Sequence, residues 1–328
     1  MATPQPETRP RLLITRRLPE AVEERASAHY DALLAPAGVD EPMAKAALVE
    51  RAEGCAALMC NPTDRIDADL IAALPESIRM IATFSVGYEH VDVDAARARG
   101  IVVSNTPDVL TDATADIALL LMLGATRRAW EAQSLLRAGE WTGWTPTQLM
   151  GLALQGRRLG ILGMGRIGQA VAARGRAFGM EIHYHNRRRL EGPQEAGATF
   201  HQTPEALLAV ADVLSLHFPL TPETKGFLNA ERIALMPDSA VVVNTARGGV
   251  VNDADLIAAL RSGRLASAGL DVFDGEPQLH PDYAGLTNAY LLPHLGSATV
   301  ETRNAMGFRA LDNLDAFFGG NEPPDRVA

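Results

Sequence analysis

The stretch Arg158-Leu159-Gly160-Ile161-Leu162-Gly163-Met164-Gly165-Arg166-Ile167-Gly168-Gln169-Ala170-Val171-Ala172 decides the fold. Residues 159–162 form a short apolar run with the character of a buried parallel strand. Gly163, Gly165 and Gly168 follow in G-x-G-x-x-G spacing, and residues 169–178 (QAVAARGRAF) read as a helix. Strand, glycine turn and helix in this order make the glycine pattern a dinucleotide-binding signature. Gly163 allows the tight turn, Gly165 lets the backbone approach a pyrophosphate, and Gly168 lets helix and strand pack closely. The pyrophosphate would meet the free N–H groups at the positive end of the helix. The alternative is a Gly-rich turn with no ligand, and the rest of the chain weighs against it.

Residues 181–186 (EIHYHN) read as the next strand of this unit. In a NAD site an acidic residue about 20 positions on holds the ribose 2′-hydroxyl. Here the corresponding region is Asn186-Arg187-Arg188-Arg189, with no acid. A carboxylate would repel a 2′-phosphate, whereas guanidinium groups pair with phosphate bidentately. NADP(H) is therefore the expected cofactor, with NAD(H) as the alternative. A solvated Arg run is the plain reading; position favours the phosphate, since the run falls where the adenosine ribose should lie.

The chain has 328 residues, enough for two domains, and its 47% hydrophobic and 21% charged content is that of a globular protein. A net charge of −10 argues against nucleic acid or an anionic membrane as partner. Cys55 and Cys60, the only cysteines, make neither a disulfide framework nor a metal set, so no metal is expected and a reducing, cytoplasmic setting is. Residues 1–10 (MATPQPETRP) lack the apolar segment of a signal peptide. The longest apolar run, residues 117–125, is too short to span a bilayer.

Strands are expected at residues 11–15, 55–60, 80–84 and 101–104, with helices at 19–34 and 68–73. Alternating strands and helices imply a parallel sheet covered on both faces. This half has no G-x-G-x-x-G and reads as a separate, smaller α/β domain. Residues 108–128 read as a helix that is apolar nearly all round, and hence buried in a core or a subunit interface. Residues 140–146 (EWTGWTP) then suggest a projecting dimer arm within 111–150; a plain linker is the alternative. Beyond the glycine turn, strands are expected at 212–218, 240–245, 268–272 and 290–292. Residues 304–318 read as a last helix and residues 319–328 as a loose tail.

Three strand ends carry polar residues in apolar settings: Arg247 after VVVNTA, Glu276 after AGLDVFDG and His294 after AYLLP. Alone, each has a structural explanation. Beside a nicotinamide they make a coherent set for reducing a 2-keto acid. Arg247, always charged and fork-shaped, suits the carboxylate and carbonyl. His294 suits proton donation to the developing alkoxide. Glu276 would orient the imidazole and favour its charged form.

The chain resembles the D-isomer-specific 2-hydroxyacid dehydrogenases, in particular the glyoxylate/hydroxypyruvate reductase branch. The matching stretches are FSVGYEHVD (84–92), NTPDVLTDATAD (105–116), GILGMGRIGQAVA (160–172), FPLTPETKG (218–226), NTARGGVVND (244–253), AGLDVFDGEP (268–277) and PHLGSAT (293–299). The resemblance implies catalytic roles for Arg247, Glu276 and His294. It implies that the backbone N–H groups of Val86 and Gly87 bind the substrate carboxylate, with Ser297 also on the substrate's side. It places Arg166, Ile167, Pro219, Thr245, Asp271 and Gly296 beside the cofactor. Trp144 resembles a tryptophan lent to the partner subunit's substrate pocket, so a homodimer is expected. The implied fold is two Rossmann-like, doubly wound parallel-sheet domains. A cofactor domain (106–296) is inserted into a discontinuous substrate domain (1–105 with 297–328).

The expected activity is NADPH-dependent reduction of glyoxylate or hydroxypyruvate, with His294 as general acid. Two alternatives stand beside it. One is a non-enzymatic protein that senses a dinucleotide. The other is a dehydrogenase of a different acid, such as a 2-keto sugar acid or phosphite.

Overall fold

The computed structural model describes residues 9–36 and 41–328. The start of the chain, read above for a signal peptide, lies largely outside them. The chain divides into two compact units, residues 1–110 with 298–328, and residues 111–297. Both are parallel-sheet α/β units.

The first unit holds β1 (Arg11–Ile14), β2 (Asp31–Leu33), β3 (Ala57–Cys60), β4 (Met80–Thr83) and β5 (Val102–Ser104) in the order β2-β1-β3-β4-β5. All pairings are parallel. Side chains alternate between two cores, as strand geometry requires. Leu12, Ile14, Met80 and Ala82 face one, beside the helix Val300–Phe318; Leu13, Leu58 and Ile81 face the other. Strands buried on both faces must be apolar throughout, which is why β3 and β4 show no polar alternation.

The second unit holds β6 (Arg158–Leu162), β7 (Glu181–His185), β8 (Thr199–Phe200), β9 (Val213–Leu216), β10 (Ala240–Asn244), β11 (Leu265–Leu270) and β12 (Ala289–Leu291). Their order is β12-β11-β10-β9-β6-β7-β8. The order reverses at β6, where β9 lies on one side and β7 on the other. Such a reversal opens a crevice at the carboxyl ends of the strands, where ligands gather in doubly wound sheets.

Two expectations need correction, and a third is narrowed to one of its alternatives. The helix expected at 19–34 stops at His29, and β2 follows it. The apolar helix Thr111–Thr126 spends its apolarity inside its own unit. Ala115, Ala118, Leu121 and Met122 are buried, Leu121 lies against Gly269 and Tyr290 against Gly124. Its composition therefore says little about a subunit interface. The aromatic arm differs: Trp130, Trp141, Trp144 and Met150 are all exposed, Trp144 at 80%.

The other correction is the tail, which is docked. Val327 N–H donates to the Val103 carbonyl and Val103 N–H to that of Ala328. The Asp325 carboxylate, 5% exposed, takes two bonds from Arg309 at 2.5 and 2.8 Å and one from Asn313 Nδ2 at 2.9 Å. Removing one member of a buried ion pair strands the other. Asp325→Ala should therefore destabilise the first unit by about 1–3 kcal/mol. Urea unfolding should show this as a lower midpoint, and an unchanged midpoint would contradict the docking.

Candidate active site

The glycine turn after β6 is shaped by what surrounds it. Gly163 has φ +88°, and a Cβ there would stand 2.5 Å from the His217 carbonyl oxygen. A Cβ on Gly168 would stand 2.5 Å from the Gly163 carbonyl oxygen. Gly165 differs: a Cβ there would meet nothing within 4 Å, so the space above its backbone is open. Gly165 also caps the helix Arg166–Ala177 without a side chain. An open backbone at an uncapped helix start fits a pyrophosphate. Arg166 and Ile167 open that helix. Asn186 at the end of β7 holds the turn, its Oδ1 accepting from Met164 N–H at 2.6 Å.

The arginine run divides. Arg189 is committed: it pairs with Glu195 at 2.7 and 3.0 Å and lies over the Phe200 ring. Arg189, with Tyr184 O–H at 2.5 Å, holds the Glu195 carboxyl down at about 2. Arg187 and Arg188 are exposed and form no ion pair among the described residues.

At the carboxyl ends of β10, β11 and β12 the three polar candidates meet within one unit. His294 Nδ1 lies 2.7 Å from Glu276 Oε2. The other oxygen, Oε1, accepts from Phe273 N–H at 2.8 Å. Burial pushes the Glu276 carboxyl up, but His294, the Phe273 N–H and Arg247 outweigh it and hold it below its usual range. Nδ1 thus faces a carboxylate as donor, and Nε2 makes no bond among the described residues. Arg247 is half-buried, its Nη1 donating to the Ala246 carbonyl at 2.7 Å.

The structure gives several of these residues positioning contacts, and it adds Thr114, Asn244 and Gly248 to them. His294 sits at φ +56°, in the left-handed region uncommon for a non-glycine residue. Asp271 secures it there. The Asp271 carbonyl takes His294 N–H at 2.9 Å, and its carboxylate takes Leu295 N–H at 2.6 Å and Gly296 N–H at 2.8 Å. Burial pushes the Asp271 carboxyl up despite those two bonds. The Gly296 carbonyl accepts from Thr114 Oγ1 at 3.1 Å, and Ser297, half-buried, ends the turn. Asn244 braces the Arg247 turn from both sides, and Gly248 lets it touch the Glu276 loop, since a Cβ there would stand 1.8 Å from the Phe273 carbonyl carbon. Thr245 is buried, its Oγ1 3.5 Å from Nδ1 of His217, whose imidazole burial pushes down to about 4. Pro219 is exposed, its carbonyl taking Thr224 Oγ1 at 2.8 Å.

In the first unit, Val86 and Gly87 lie just past β4. Their carbonyls are occupied, by Asn105 Nδ2 at 2.8 Å and by Ser85 Oγ at 2.6 Å. Their N–H groups make no hydrogen bond among the described residues. Among the described residues there is no cluster of three or more His, Cys, Asp or Glu that could hold a metal ion. Nor is any helix there long and apolar enough to cross a membrane.

Comparison with known proteins agrees with this geometry. The family described as D-isomer specific 2-hydroxyacid dehydrogenase, NAD binding domain, matches residues 119–296. The chain is 44% identical to glycerate dehydrogenase of Hyphomicrobium methylovorum, over 94% of this chain and 96% of that one. It is 42% identical to glyoxylate reductase of Thermococcus litoralis, over 97% of each. Among solved structures, it resembles the NADPH-dependent glyoxylate/hydroxypyruvate reductase of Sinorhizobium meliloti in complex with NADP and malonate. The TM-score is 0.88 and the identity 38%, covering 98% of this chain and 97% of that one. This chain belongs to the D-isomer specific 2-hydroxyacid dehydrogenase family.

Proposed function

We propose that the protein reduces a small 2-keto acid, glyoxylate or hydroxypyruvate, to the 2-hydroxy acid with NADPH. The His294–Glu276 pair at 2.7 Å, with Arg247 at the same strand ends, carries the reading. Bound NADPH supplies the hydride to the keto carbon. The protein's part is to hold the acid and deliver a proton. The Val86 and Gly87 amides take the carboxylate, as backbone N–H groups do for anions. Arg247 draws the carbonyl oxygen's electrons. His294, charged before the reaction, releases the Nε2 proton to that oxygen as it becomes an alkoxide. Glu276 favours the imidazolium beforehand and fixes the ring's orientation. Hydride and proton together give the hydroxyl-bearing product and neutral His294.

His294→Ala should lower turnover by about 10²–10⁴, the usual worth of a positioned acid. Glu276→Gln removes the anion beside the imidazolium. That anion lies 2.7 Å from Nδ1, so its loss should move the alkaline limb of the reduction profile to lower pH. An unmoved limb would remove Glu276 from this role.

NADPH preference is inferred from Arg187 and Arg188, open where an acid would stand in a NAD site. Each charge-assisted bond is worth about 1.5–3 kcal/mol. Replacing both residues by Ala should raise the KM for NADPH at least about tenfold and leave that for NADH nearly unchanged. A wild-type enzyme equally efficient with both cofactors would contradict the assignment.

The exposed arm supports a homodimer in which Trp144 serves the partner's substrate pocket. Aromatic residues concentrate in subunit interfaces, and closed two-fold pairing is the commonest assembly. Trp144→Ala should raise the KM for hydroxypyruvate and admit bulkier acids. Light scattering that shows a fully active monomer would refute the assembly. Unaltered substrate preference in the variant would remove the pocket role.

A further inference from the structure

The loop after β4 presents two consecutive amides whose own peptide groups are held from behind. Val86 N–H belongs to the peptide whose carbonyl is that of Ser85, and this carbonyl accepts from Thr106 N–H at 2.9 Å. Gly87 N–H belongs to the peptide whose carbonyl is that of Val86, and this one accepts from Asn105 Nδ2 at 2.8 Å. In a planar trans peptide the carbonyl and N–H point in opposite directions. Two neighbouring donors, on Asn105 and Thr106, therefore draw both carbonyls to one side and turn both N–H groups to the other. Those N–H groups make no bond among the described residues.

The next carbonyl is fixed as well. Ser85 Oγ can only donate to the Gly87 carbonyl, 2.6 Å away. Its oxygen then accepts from Thr83 Oγ1 at 2.6 Å, and Thr83 in turn accepts from His90 Nε2–H at 3.0 Å. The order of donors along this chain follows from a single constraint, that a carbonyl oxygen has no proton.

We propose that Asn105 is a positioning residue: its side-chain N–H, donated to the Val86 carbonyl, turns the Gly87 amide outward and strengthens it as a donor to the substrate carboxylate. A hydrogen bond received at one end of a peptide group polarises the donor at the other. The residue type is dictated. The partner is an acceptor, so an ionised Asp would repel it, and Ala would leave it bare. Asn105 is buried, and its backbone is anchored separately, its N–H to the Asp325 carbonyl and its carbonyl by Asn313 Nδ2. Among the described residues its side chain makes one bond, the one to Val86. Asn105→Ala therefore deletes that bond and leaves the backbone anchors in place.

The inference rests on Val86 and Gly87 being the carboxylate site, and the test separates the two. Oxamate, a carboxylate that is not reduced, and oxamide, its uncharged diamide, are the probes. Asn105→Ala should raise both the KM for glyoxylate and the inhibition constant of oxamate about 5- to 30-fold, with kcat little changed. Asn105→Asp should be poorer still at neutral pH. It should recover on acidification, when a protonated carboxyl can again donate to the Val86 carbonyl. Each value is referred to wild type at the same pH. The charged groups close to this residue, Asp325 and Arg309, are paired with each other, and His90 stands behind Thr83. A purely structural role would lower the active fraction, and so the apparent kcat, without moving the KM or the oxamate constant. Asp matches Asn in shape and keeps the test open should Asn105→Ala melt early. An unchanged oxamate constant in Asn105→Ala, or no recovery in Asn105→Asp, overturns the inference. A wild-type enzyme that fails to distinguish oxamate from oxamide overturns the carboxylate reading itself.

Discussion

The geometry of the reducing site depends on one buried carboxylate. Asp271 ends β11 and accepts from the N–H groups of Leu295 and Gly296, while its carbonyl takes that of His294. Three bonds from one residue bend the chain after β12 and hold His294 at positive φ. That bend places Nδ1 beside Glu276 and leaves Nε2 without a bond among the described residues. An uncompensated carboxylate in this setting would be costly, and the two amides are what make it tolerable. The same principle recurs at Asn244, which braces the Arg247 turn, and at Asn105, which braces the amide loop. In each case the group stands on a turn, and the turn is held by a side chain bonded to its backbone.

Much of this architecture was legible in the sequence, for physical reasons. Strands buried on both faces must be continuously apolar, so VVVN and RLGIL announce themselves without any alternation. Gly163 and Gly168 are required by contacts under 3 Å, whereas the space above Gly165 is open. Arg247, Glu276 and His294 stood out because charged residues at the ends of apolar strands need an explanation.

What the sequence concealed was mostly long-range. β2 is three residues long and follows its helix almost directly, so nothing local separates it from that helix. The tail looks loose because its anchor, Arg309, lies on the helix before it and its strand partner, Val103, is more than 200 residues away. Arg189 could not be told from Arg187 and Arg188 until Glu195 was seen beside it. The apolar helix Thr111–Thr126 was ambiguous between core and interface, and packing against Gly269 resolved it. Asp271 was placed beside the cofactor by resemblance and Asn105 was visible only as a member of a motif; their partners are backbone groups, which carry no sequence signal.

On the proposed function, this site transfers a hydride and a proton to a small 2-keto acid. The most direct measurement is NADPH oxidation with purified protein across a panel of 2-keto acids, 2-keto sugar acids included, with the products resolved by chiral chromatography. The account predicts oxidation matched mole for mole by glycolate from glyoxylate and by D-glycerate from hydroxypyruvate, with slower turnover of bulkier acids. NADPH that binds but is not consumed with any 2-keto acid would contradict it.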